Sequence, residues 1–128
     1  MSQGPYELSE SLNRLLAFRQ EREWRQFHRP KELAAAIAIE AAELQELFLW
    51  RDPETTEQLL CSDPARLVRV REEVADITSY LLLLAHDLAI DLAAVVADKL
   101  DKNEQRYPVA RHKGVATKAG HSQEALKD

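Results

Sequence analysis

The chain has 128 residues, 45% of them hydrophobic and 30% charged, with a formal net charge of −5. That length suits one domain with a real core, and the balance is that of a globular chain. The acidic surplus argues against a general binder of nucleic-acid polymers, which would be basic. One cysteine, Cys61, has no internal disulfide partner, which points to a reducing compartment. "MSQGPYELSE" lacks the basic and apolar regions of a secretory leader. The longest apolar run, "YLLLLA", is too short to span a bilayer. The expectation is a cytoplasmic protein with no membrane partner.

All three glycines, Gly4, Gly114 and Gly120, lie near the ends, so no Gly-rich phosphate loop or tight hairpin is available between them. Prolines punctuate the chain instead. A first helix is predicted from about Ser9 to Trp24, with Leu12, Leu15 and Leu16 on one side. A second opens at Pro30, a good first-turn residue, and runs to about Trp50. "RDPETTEQLLCSDP" is a polar connection holding at most a helical turn at "TTEQLL". A third helix runs from Pro64 to about His86, and a fourth from the N-cap Asp91 to about Arg106, stopped by Pro108. Residues 114–128 are polar without an apolar stripe and read as a flexible tail on a domain spanning 1–113. No period-2 pattern occurs, so the class is all-α.

Two acids stand out in "IEAAELQELFLW". On a helical wheel Leu33, Ile37, Leu44, Leu47 and Phe48 fall within about 80° of Glu40, and Glu43 lies about 60° to the other side. The third helix repeats the design. Val70, Ile77, Tyr80, Leu81 and Leu84 surround Glu73, and Asp76 stands at its margin. An E-x-x-E spacing alone is common and most cases are solvated faces. Two of them, each centred on an apolar stripe, are different. Four inward carboxylates cannot all ionise without a counter-charge. A hard divalent cation supplies it, and oxygen ligands suit Mg²⁺, Mn²⁺ or Ca²⁺.

The fourth helix offers the complement. Its apolar stripe of Leu92, Val95 and Val96 continues into Lys99, Asn103 and Arg106, within about 40° of Leu92. Cations also belong at a helix C-terminus for purely electrostatic reasons. Acids with a cation beside a Lys–Asn–Arg row suit a polyphosphate.

At this point the segments "EREWRQFHRPKEL", "EAAELQELFLW", "EEVADITSYLLLLA" and "DLAAVVADKLDKNEQRYPV" resemble, in that order, the MazG-like all-α nucleoside triphosphate pyrophosphohydrolases, and among them the dCTP pyrophosphatase branch. The resemblance covers roughly residues 12 to 110. It implies a four-helix MazG-like bundle completed by oligomerisation, as a homodimer or homotetramer. It also implies Mg²⁺-dependent hydrolysis of a (deoxy)nucleoside triphosphate, of dCTP type, to the monophosphate and pyrophosphate, with Mn²⁺ as a possible substitute. By that analogy Glu40, Glu43, Glu73 and Asp76 are the metal ligands and catalytic residues. Lys99, Asn103, Arg106 and Tyr107 contact phosphates and sugar. Trp24, His28 and Trp50 form the base pocket, with Tyr80 against the sugar. The chain departs from the family pattern at Ala41 and Ala42, where glycines are frequent, and at Glu32, where the dCTP branch has asparagine.

An assembly surface is also expected, because Leu82 and Leu49 lie opposite the acids on their helices. Two rivals differ in class. A di-iron bundle requires Glu-x-x-His pairs, and neither motif has histidine at the second position. A non-enzymatic helical module that binds a nucleotide or a protein is the other.

Overall fold

The computed structural model describes residues 7–49 and 52–118. The described residues form helices and turns without strands, in agreement with the all-α class. Six α-helices are described: α1 Leu8–Glu21, α2 Pro30–Glu46, α3 Pro53–Ser62, α4 Pro64–Asp87, α5 Leu92–Arg106 and the short α6 Val109–His112. A 3-10 turn, Trp24–Phe27, precedes α2. The chain divides into two compact units, Met1–Ala89 and Ile90–Asp128.

Proline and aspartate set the helix starts. Pro30, Pro53 and Pro64 each occupy a first-turn position, where the missing N–H is not needed. Asp52, Asp63 and Asp91 are N-caps whose carboxylates accept from the backbone N–H of Thr55, Arg66 and Ala94. Asp63 also closes α3. The connection expected to hold one helical turn is therefore a ten-residue helix, with its cap and its proline in the usual places.

Two expected helix ends move. The first helix stops at Glu21, not Trp24, because Glu23 turns left-handed at φ 54 and sends the chain into the 3-10 turn. The second stops at Glu46, and the Nη1 of Arg66 donates to the carbonyl of Leu47 at 2.8 Å. That guanidinium satisfies a helix-end acceptor otherwise left open.

In the first unit α2 packs most extensively against α4, and α1 and α3 add to the α4 flank. The core is small: Leu33, Leu47, Leu82, Leu83 and Ala85 are buried, Leu33 to 1% exposure. Leu82 was expected on an outer surface. It is buried within the chain instead, beside Leu8, Leu15 and Phe18 of α1. Leu49 stays exposed, as do Ile39, Val68, Val74 and Leu81.

In the second unit no residue of α5 is buried. Gly114, at φ 74, uses the left-handed freedom of glycine to end the turn after α6. The expected tail falls mostly outside the described residues; residues 115–118 are exposed and irregular. No single helix among the described residues is long and apolar enough to cross a membrane.

Candidate active site

Glu40 sits in the middle of α2, and Glu73 and Asp76 one turn apart on α4. Because these helices pack face to face, carboxylate oxygens of all three lie within 4.8 Å of one another. Glu40 and Glu73 are half-buried and Asp76 is exposed. Glu43, one turn along α2, is exposed and stands outside this cluster, although it acts on the Glu40 carboxyl.

The electrostatics of this cluster are those of crowding. Among the described residues no lysine or arginine pairs with these acids. The Glu40 carboxyl is pushed up to about 7, first by sharing a hydrogen bond with Glu73, then by burial, then by Glu43 and by the charge of Asp76. Such a group binds a proton because no other cation relieves it. Glu73 carries a further sign: its Oε2 is buried and has no hydrogen-bond partner.

An orphaned carboxylate oxygen beside two other acids fits a divalent ion. Ligand oxygens opposite one another on Mg²⁺, at about 2.1 Å from the ion, stand about 4.2 Å apart. The spacing of this cluster is compatible with that geometry, and the all-oxygen donor set selects a hard cation.

A row of rings adjoins the acids. Tyr80 lies one turn beyond Asp76 on α4. Burial, and then the charges of Glu40 and Asp76, raise its hydroxyl above the ordinary tyrosine range. His28 meets Tyr80 edge-on at 6.1 Å between centroids, Trp24 meets His28 at 6.1 Å, and Phe18 meets Trp24 at 5.7 Å. Trp24 remains 41% exposed, which leaves indole surface for a planar ligand. His28 is half-buried with its Nδ1 unpartnered. Burial first, and then the charge of Arg19, hold its imidazole below the usual range, against a smaller opposite pull from Asp87.

Of the residues expected from sequence, Glu40, Glu73 and Asp76 come together, and Trp24, His28 and Tyr80 form one continuous row. Trp50 lies outside the described residues. Lys99, Asn103, Arg106 and Tyr107 belong to the second unit. The first three continue one face of α5, with Asn103 half-buried and the two cations exposed. The Arg106 guanidinium lies 5.7 Å from the Tyr107 ring centroid, and Tyr107 packs edge-on against His112 at 5.1 Å.

Sequence reasoning missed one feature. Arg19, in the last turn of α1, donates through both Nη atoms to the carboxylate of Asp87 at the end of α4, at 2.8 and 2.7 Å. Both side chains are buried, at 3% and 8% exposure. Asp87 also borders a cavity of about 440 Å³ that Arg25, Gln26, His28, Arg29 and Pro30 complete.

Comparison with known proteins gives this arrangement its context. The MazG-like family profile matches residues 35–121, which takes in both acidic motifs and α5. Over 122 residues the chain is 40% identical to dCTP pyrophosphatase 1 of Rattus norvegicus, covering 90% of this chain and 71% of the rat protein. The Homo sapiens protein of the same name is 39% identical over 107 residues, 82% of this chain and 62% of its own length. Among solved structures, a pyrophosphatase from Archaeoglobus fulgidus superposes with a TM-score of 0.73 at 37% identity, covering 84% of this chain and 98% of that one. The chain belongs to the MazG-like family. It is an enzyme of the nucleoside triphosphate pyrophosphohydrolase class, and the non-catalytic binding module is set aside.

Proposed function

We propose that the protein hydrolyses a deoxynucleoside triphosphate of the dCTP type to the monophosphate and pyrophosphate, with Mg²⁺ as cofactor and Mn²⁺ as a substitute. The observation that carries the proposal is the meeting of Glu40, Glu73 and Asp76 across α2 and α4, with the Glu73 Oε2 left without a partner. The choice of dCTP rests on the relatives bearing that name.

Glu40, Glu73 and Asp76 would hold the cation, with Glu43 joining the set from the next turn of α2. A divalent ion held there would neutralise the triphosphate and acidify water. One of these carboxylates would accept the proton of the attacking water. Trp24 and His28 receive the base, joined by Trp50 on the sequence reading, and Tyr80 lies against the sugar. Indole and imidazole offer flat surfaces and a hydrogen-bonding edge for that purpose. Lys99, Asn103, Arg106 and Tyr107 contact phosphates and sugar, and the two cations stabilise the departing pyrophosphate.

The exposed apolar side chains Ile39, Val74 and Leu81 support assembly as a homodimer or homotetramer. The free, exposed Cys61 agrees with a reducing, cytoplasmic setting.

The deciding experiment is a panel of ribo- and deoxynucleoside triphosphates with Mg²⁺ or Mn²⁺, with products separated by chromatography. The expected result is monophosphate plus pyrophosphate, fastest with dCTP. Release of orthophosphate and a diphosphate would overturn the assignment, as would turnover unaffected by chelation of the metal.

A further inference from the structure

We propose that the Arg19–Asp87 pair is a positioning device for the base-facing side of the site, pinning the end of α1 to the end of α4 so that the Trp24–Phe27 turn and His28 are held edge-on to Tyr80. The proposal rests on the reading that this row receives the base.

The segment after α1 is shaped by bonds within itself. From Gln20 to His28 its hydrogen bonds are local. The Glu23 N–H donates to the Gln20 carbonyl at 3.0 Å, the Gln26 Nε2 to the Glu23 carbonyl at 3.0 Å, and the His28 N–H to the Arg25 carbonyl at 3.1 Å. These bonds shape the turn and do not relate it to α4. The ring contact between His28 and Tyr80 ties it to α4 directly, and the two-pronged bond between Arg19 and Asp87 ties the end of α1 from which it leaves, beside the apolar packing of Leu15 and Phe18 near Leu82. An edge-on ring contact is weak and leaves the rings free to slide. A planar guanidinium fork on a carboxylate fixes both distance and orientation. The fork joins residues 68 positions apart, and its arginine stands in the last turn of α1, the helix that leads into the turn carrying Trp24.

The placement of charge agrees. His28 feels Arg19 from α1 and Asp87 from α4, with opposite effects. Arg25 and Arg29 line the same cavity from the turn and the start of α2, and His86 and Arg25 both act on Asp87. The pair thus sets opposite charges beside His28, Arg19 the stronger of the two, and gives it a fixed neighbour. Removing either member alone uncovers the other's charge beside the imidazole.

The test uses the full chain and three variants, Arg19→Met, Arg19→Lys and Asp87→Asn. Two quantities are read on each: the proton titration of the His28 ring by NMR, assigned with His28→Gln, and steady-state kinetics with dCTP and Mg²⁺. The expected titration midpoint of His28 rises in Arg19→Met, where Asp87 is left, and falls in Asp87→Asn, where Arg19 is left. KM for dCTP is expected to rise about tenfold or more in both, with kcat changing less, because a displaced base pocket loses binding shared by ground and transition states. Arg19→Lys retains the charge without the fork. It is the variant that folds if Arg19→Met does not, and its KM should fall between wild type and Asp87→Asn. A lower thermal midpoint with unchanged KM and unchanged His28 titration would reduce the pair to a structural brace and overturn the proposal. If the wild-type chain turns over no nucleotide, the base-pocket reading fails by itself. The contact between the His28 and Tyr80 rings, read by NMR, then decides alone: its loss in Arg19→Met and Asp87→Asn supports the positioning role, and its persistence in both overturns it.

Discussion

Helix α4 carries two acidic sites that the fold treats in opposite ways. Near its middle, Glu73 and Asp76 crowd against Glu40 without a cation, and the Glu40 carboxyl is driven up to about 7. At its end Asp87 receives both arms of Arg19, and that hydrogen bonding holds its carboxyl below the usual aspartate range. Both regions gather charge beside an apolar core. In one the charge is balanced within the chain. In the other no lysine or arginine among the described residues balances it. The contrast separates an acid paired within the fold from acids left crowded against one another.

The largest expected effect breaks the balanced side. Asp87→Ala strands the Arg19 guanidinium in a buried place and should cost about 3–5 kcal/mol of stability. Denaturant unfolding of the variant against wild type measures it. A loss comparable to that of an exposed pair would show that water or another acid replaces Asp87.

The next effect falls on the crowded side. Asp76→Asn preserves shape and removes an anionic oxygen, so kcat should drop by about 10²–10³, in the range seen when one preorganised electrostatic partner is deleted. Circular dichroism should stay unchanged. A rate close to wild type at saturating Mg²⁺ would break the contrast, because the acids would then be no more than a surface cluster.

Titration sharpens the comparison further. In metal-free protein the folded Glu40 keeps its proton up to about 7, whereas the unfolded group releases it near 4.5. Between those values the native state binds more protons than the unfolded state, so stability falls as pH rises. Asp87 works with the opposite sign. Its folded value lies below 3.8, so its contribution is whole above that pH and is lost as pH falls through the folded value. Thermal midpoints from pH 3 to 8, with and without Mg²⁺, read both. Glu40→Gln should flatten the neutral slope and leave the acid limb intact.

The smallest stability effect belongs to the second unit. Arg106→Ala should lower kcat or raise KM for the triphosphate and change folding by only about 0.3–1 kcal/mol, the worth of a cation at a helix C-terminus. Arg106→Lys should not fully restore the kinetics, since a lysine cannot grip phosphate with a fork. Unchanged kinetics with a lowered midpoint would confine Arg106 to the helix end.

The acids were legible in the sequence because helical period alone aligns Glu40 with Leu33 and Leu47, and Glu73 with Ile77 and Tyr80. The prolines gave the starts of α2 and α4 for the same local reason. The α3 helix was only half legible. Its cap Asp52 and first-turn Pro53 were present, but its composition is polar and its face narrow. The early end of α1 carried no signal, since Glu23 is not a residue that announces a left-handed turn. Arg19 and Asp87 were silent for a different reason. Each looks like an ordinary solvated charge on its own helix, and only the packing of α1 on α4 makes them a pair.

Glu23 and Ala89 both carry a Cβ in left-handed backbone, at φ 54 and φ 53. For residues with a side chain that conformation costs roughly 1–2 kcal/mol, and glycine avoids it. The chain between residues 5 and 113 contains no glycine, so the fold accepts this expense at both corners. It therefore has room for improvement that touches neither the acid cluster nor the Arg19–Asp87 pair. A protein engineer seeking a hardier version of this enzyme would begin at those two corners and leave the helices as they are.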